Sequence, residues 1–176
     1  MSPLTRFLFF LAGSLTIGTL FGCLTATGEE IGWRGYMLTR LVDAKVPKPL
    51  LVSGIIWGAW HMPLILSGQY ASSAYPALSV LLFGVTIVSG ATLIGTLRLQ
   101  TGSIWPAVLA HASWNAIIQG PFDNASRSAN ASLWVGESGV IVAVTCAIAA
   151  IVVLQRRWAY RHWPDEPVAD SPQNLT

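Results

Sequence analysis

Apolar residues fill five long runs, about Phe7 to Thr27, Leu50 to Leu66, Ala77 to Leu97, Ile104 to Gln119 and Leu133 to Leu154, and the polar residues gather between them. A half-buried strand alternates with a period of two, and a surface helix shows an apolar stripe at three to four. Runs apolar on every face, close to the ~20 residues that cross a bilayer, fit neither. The pattern predicts an all-α fold, a polytopic transmembrane helix bundle of about five spans. The second and fourth runs are short: at about 1.5 Å per residue they reach roughly 24–26 Å, so each extends at its ends or sits in a thinned, protein-lined region. Both hold a histidine, His61 and His111. No linker interrupts residues 1–163, which read as one domain, while residues 164–176 read as a disordered cytoplasmic tail.

Composition narrows the class. The chain has 176 residues, 53% hydrophobic and 10% charged, where soluble domains carry roughly 25% charge, so a water-soluble globule is excluded. A net charge of +2, with the basic side chains between apolar runs, argues against a nucleic-acid partner and for orientation in lipid. Alternating the loops places Arg34, Arg40, Lys45, Lys48, Arg98, Arg156, Arg157 and Arg161 on one side, with Arg6 and Arg127 on the other. That bias makes the first side cytoplasmic, with the N-terminus outside and the C-terminus inside, in an integral protein of the plasma membrane. Trp105, Trp134, Trp158 and Trp163 fall near run ends, at headgroup depth. His162, beside Arg161 and Trp163, reads as part of an anchor to anionic lipid. Cys23 and Cys146 lie in separate runs and read as small buried hydrophobes. Gly18-x-x-x-Gly22 and Gly54-x-x-x-Gly58 are small-residue ridges suited to close helix approach.

An ionisable side chain in hydrocarbon costs at least ~2.5–3.5 kcal/mol on insertion scales, so each asks for a partner or a purpose. Glu29, Glu30 and Arg34 follow the first run, His61 sits in the second, and His111 with Asn115 lies in the fourth. If residues 24–41 are helical, Glu30 and Arg34 share a face at i and i+4 and pair, whereas Glu29 is about 140° from Arg34 and stays free. His111 and Asn115, again i and i+4, project together as a platform of two donors. Counted from the cytoplasmic edge, His61 lies roughly 16 Å deep and His111 roughly 10 Å, about one helical turn apart. This is the inventory for activating a water and stabilising an oxyanion, in a site opening to the cytoplasmic side. Glu137, near the outer edge of the fifth run, reads as interfacial.

Glu29-Glu30-x-x-x-Arg34, Trp57-x-x-x-His61 and His111-x-x-x-Asn115, in that order on three helices, resemble the three motifs of the CPBP family, the CAAX protease and bacteriocin-processing intramembrane proteases also called Abi proteins. The motif core is residues 28–119, with Trp57 standing where the family usually has Phe. The resemblance implies hydrolysis of peptide bonds within the membrane. Glu29 would act as general base, His61 would hold and polarise the water, and His111 with Asn115 would donate to the oxyanion. Glu30 paired with Arg34 would support Glu29. The partners implied are membrane lipid and a membrane-associated peptide or protein: a prenylated CAAX end, a leader peptide or another membrane-bound sequence.

Glu29, His61 and His111 also form the donor set of a Zn2+ site with a fourth position for water, and families of this type are often described as metalloproteases. No His-Glu-x-x-His helix is present, and glutamate catalysis without a cofactor is the favoured reading. Two other classes compete with a peptidase: a non-proteolytic bacteriocin-immunity or membrane-protein-interaction role, and a proton path built on the same Glu and His. The sequence carries no sign of oligomeric state.

Overall fold

The computed structural model describes residues 1–71, 73, 75–126 and 130–156. The expectations placed on Arg127, Arg157, Trp158, Arg161, His162, Trp163 and the tail lie outside those residues. The described residues form helices and no strand.

Helix α1 runs Pro3–Asp43. It is α-helical to Gly13, opens into wider π turns over Ser14–Gly18, closes again over Thr19–Glu30, and opens a second time over Ile31–Met37. Helix α2 is Pro49–Leu66 and α3 is Pro76–Thr101. Helix α4 covers residues 105–125, where an α-helix over Trp105–Trp114 passes into a π-helix over Asn115–Phe122. A single turn, α5 (Ala131–Trp134), precedes α6, Val140–Gln155.

The sequence sets these boundaries locally. Proline stands in the first turn of α2, α3 and α4, where its missing N–H leaves no intrahelical bond unmade. Gly102, at φ +68°, ends α3 by donating its N–H to the Arg98 carbonyl at 3.0 Å. The fifth apolar run was expected to be helical from Leu133. Its long helix starts only at Val140, because Gly136 at φ +80° turns the chain after the α5 segment.

Helices α1, α2 and α3 are long and apolar enough to cross a membrane, while α6, with 16 residues, falls short of the length expected for its run. The burial pattern is that of a lipid-bathed bundle. Leu8, Phe9, Ile17, Leu20, Phe21 and Leu24 of α1 face outward, whereas Ser53, Ser79, Thr86, Ser89, Thr92 and Thr96 of α2 and α3 are buried. Lipid is as apolar as any leucine core, so association relies on close approach and polar contacts rather than on burial of apolar area. Helix α2 packs on α3, α3 on α6, and residues 19–30 on the first part of α4. Both glycine ridges lie at these contacts. A methyl placed on Gly54 would stand 2.9 Å from the Val88 Cα, and one on Gly58 2.9 Å from a methyl of Ile87. Methyls placed on Gly18 and Gly22 would stand 3.5 and 3.4 Å from the Ala116 and Ala112 methyls of α4.

Candidate active site

Glu30 and Arg34 form the i, i+4 pair on α1: one guanidinium nitrogen (Nη1) lies 2.7 Å from Oε1 of Glu30. Both side chains are almost wholly buried, at 0% and 1% exposure. A lone charge there would be prohibitive, and mutual neutralisation with a charge-assisted hydrogen bond makes the placement tolerable. The same Oε1 accepts a second bond, from Nδ1 of His111 on α4 at 2.8 Å. The guanidinium plane also lies over the Trp57 ring of α2, 4.0 Å from its centroid, adding a cation–π contact. Three helices are thus joined around one carboxylate. The helix widens directly after Glu30, and α4 widens directly after Trp114. Such π segments are frequent at functional sites.

These bonds fix the chemistry of the two imidazoles. His61 Nδ1 lies 2.8 Å from the backbone carbonyl of Trp57, one turn back on α2. A carbonyl only accepts, so Nδ1 carries the proton and Nε2 of neutral His61 presents a lone pair. His111 is arranged alike, with Glu30 as acceptor. Its Nε2 is then an acceptor when the ring is neutral and donates to an oxyanion only as the imidazolium. The sequence had treated His111 as a ready donor, and its link to Glu30 is what adds that condition. The His61 ring sits among Trp60, Phe83, Tyr70 and Trp57, at centroid distances of 4.8, 5.1, 5.5 and 5.8 Å.

A chamber of about 420 Å³ opens between the helices, walled among others by Glu29, Trp57, His61, His111 and Asn115. Glu29 is half-buried, and among the described residues no hydrogen bond or ion pair engages its carboxylate. Of the residues singled out from sequence, Glu30 and Arg34 stand behind the chamber wall rather than on it. Among the described residues, no three His, Cys, Asp or Glu side chains come together as a metal-holding group.

Two features of the chamber go beyond the sequence reading. The loop residues on the chamber wall, Tyr70 and Glu137, come from the connections that follow α2 and precede α6. The basic side chains Lys45, Lys48, Arg98 and Arg156 lie at or beside the opposite helix ends. Tyr70 and Glu137 on its lining carry the chamber toward the end away from those basic side chains. On α2, His61 stands twelve residues, about 18 Å, from Pro49 but about 8 Å from Leu66.

Glu137 is the second: read from sequence as interfacial, it is buried within the protein at this end. Its Oε1 accepts the Trp114 indole N–H at 2.7 Å, and its Oε2 accepts the Tyr70 hydroxyl and the Gln119 amide, the latter at 3.3 Å. Tyr70, Trp114, Gln119 and Glu137 all line the chamber, and sequence reasoning had given none of them a role in the site. The signal lay in a glutamate flanked by Gly136, Ser138 and Gly139, inside a segment otherwise fit for lipid.

Comparison with known proteins adds an independent line. The family described as Rce1-like, type II CAAX prenyl endopeptidase, matches residues 9–117. A CAAX prenyl protease 2 of Methanococcus maripaludis is 46% identical over 43 residues, a stretch covering 24% of this chain and 16% of that relative. No solved structure matches.

Proposed function

The chain belongs to the Rce1-like family of type II CAAX prenyl endopeptidases, and from that premise we propose that its chamber hydrolyses peptide bonds of membrane-associated substrates with a water activated by Glu29 and His61. The observation that carries this reading is a carboxylate without a hydrogen bond among the described residues and an imidazole whose tautomer leaves Nε2 as an acceptor, both lining the chamber. A water between two such acceptors is oriented by its own two protons, with a lone pair free for attack.

In the proposed reaction the water oxygen adds to the peptide carbonyl carbon while its proton passes to Glu29. The carbonyl π electrons move onto oxygen. Asn115 donates to that oxyanion through its amide, and His111 joins it as the imidazolium stabilised by Glu30. The C–N bond then breaks, and the departing nitrogen takes the proton back from Glu29. Glu30 and Arg34 touch no reacting atom in this scheme; they fix His111 and the α1 turn next to Glu29. With the basic helix ends toward the cytoplasm, the chamber would admit substrate from the opposite face or laterally from lipid. Prenylated ends, leader peptides and other membrane-bound sequences are the candidate substrates, and the assay below separates prenylated from plain peptides.

The test is cleavage of quenched-fluorescent peptides, prenylated and plain, by protein in nanodiscs. Turnover by wild type, lost in a folded Glu29→Ala variant, is expected. Unchanged turnover in that variant would remove Glu29 as the base, and no turnover by either protein would transfer the argument to the immunity or interaction role.

A further inference from the structure

We infer that Glu137 is a positioning residue of the catalytic chamber, acting on His61 through Tyr70 and on the Asn115 turn through Trp114. The inference rests on the proposed hydrolytic role of the chamber but concerns residues which that scheme does not use.

Of the four rings around His61, Trp57 and Trp60 stand on its own helix and Phe83 on the neighbouring α3. Tyr70 alone comes from a connecting segment, the stretch between Leu66 and Pro76. It also lies nearest to parallel with the imidazole, at an interplanar angle of 32°. A ring on a loop holds its place only if something fixes its far end. Here its hydroxyl donates to Glu137 and accepts the Gln119 amide at 3.1 Å. Burial, then the Glu137 charge, push the Tyr70 hydroxyl above its ordinary range, so it stays a proton donor and the bond persists across working pH.

The second arm reaches α4. Trp114 closes the α-helical part and Asn115 opens the π-helix, so the bond from the Trp114 indole to Glu137 tethers the turn at which the proposed oxyanion donor emerges. One carboxylate thus links the loop after α2, the widened part of α4, and the residues before α6. A second cavity, of about 340 Å³, shares Tyr70, Gln119 and Glu137 with the chamber, so this network is also the wall between them.

The experiment compares Tyr70→Phe, Glu137→Gln and the double variant in nanodiscs. Tyr70→Phe keeps the ring and removes only its anchor, so it guards against a folding failure of Glu137→Gln. The expected result is a fall in kcat of about tenfold for each, with KM within about twofold and the double variant no worse than the more damaged single one. Isotope-resolved His61 imidazole signals should broaden in both singles. That second readout needs no turnover, so it tests the positioning role even if the peptidase reading fails. Wild-type kcat with unchanged His61 signals would overturn the inference, as would losses that add in the double variant or that merely follow lowered thermal stability.

Discussion

Two buried carboxylates divide the work of this bundle, and they are held in opposite ways. Glu30 is neutralised: a guanidinium and an imidazole share one of its oxygens, deep among α1, α2 and α4. Glu137 is held by three neutral donors, an indole, a phenol and an amide, at the loop end of the chamber. A charge met by a countercharge is fixed by large opposing terms, so removing either partner is severe. A charge held only by neutral hydrogen bonds is secured by smaller increments, and its loss loosens geometry before it unfolds the chain. Glu30 accordingly reads as a keystone of the fold and Glu137 as a brace of the chamber.

The largest effect expected from this contrast is at Arg34. Arg34→Ala leaves Glu30 charged and without its cation, a loss of about 3–5 kcal/mol that denaturation in detergent should register as failure to fold or a deeply lowered melting point. Arg34→Met combined with Glu30→Gln removes both charges together and should recover part of that loss. If the single and double variants were equally unstable, neutralisation would not be what holds Glu30.

Next comes Gly54→Ala on the α2–α3 contact. Its new methyl would lie 2.9 Å from the Val88 Cα and 3.0 Å from the Ala91 Cβ, which forces the helices apart at a cost of about 1–3 kcal/mol. Gly84 in the same pair of helices has open space around it, and Gly84→Ala should be neutral or stabilising by roughly 0.5–1 kcal/mol. Melting curves measured side by side would show whether packing or glycine content governs this interface.

The smallest effect is expected on the surface. Arg40 and Asp43 approach to 3.2 Å with both side chains more than half exposed. Asp43→Asn should change melting by no more than a solvent-screened pair allows, about 0–1 kcal/mol, fading further in salt. A loss comparable to that at Arg34 would erase the distinction drawn between buried and exposed pairs.

What could be read from sequence follows the reach of each interaction. The Glu30–Arg34 pair was legible because four residues on a helix define a shared face, and it forms even though the backbone widens to π after Glu30. The glycine ridges were legible for the same reason of local periodicity. The bond from His111 to Glu30 spans 81 residues, and that from Tyr70 to Glu137 spans 67. No local pattern encodes such partners; they arise from how the bundle closes. The extension of the chamber to Tyr70 and Glu137 was not read because depth was counted from the basic end alone, while the stretch of α2 beyond His61 is shorter than the part before it. The late start of α6 was hidden by the apolar residues of 133–135, which suit a helix until Gly136 turns the chain.

The central claim is that neighbouring carboxylates, Glu29 and Glu30, do different jobs, one chemical and one structural. The most direct measurement is kcat and melting temperature for Glu29→Gln and Glu30→Gln, taken together on the same nanodisc preparations. The account predicts that Glu29→Gln melts like wild type with turnover reduced at least about 100-fold, and that Glu30→Gln loses stability along with turnover. An active Glu29→Gln, or a Glu30→Gln that melts normally while all turnover disappears, would contradict it.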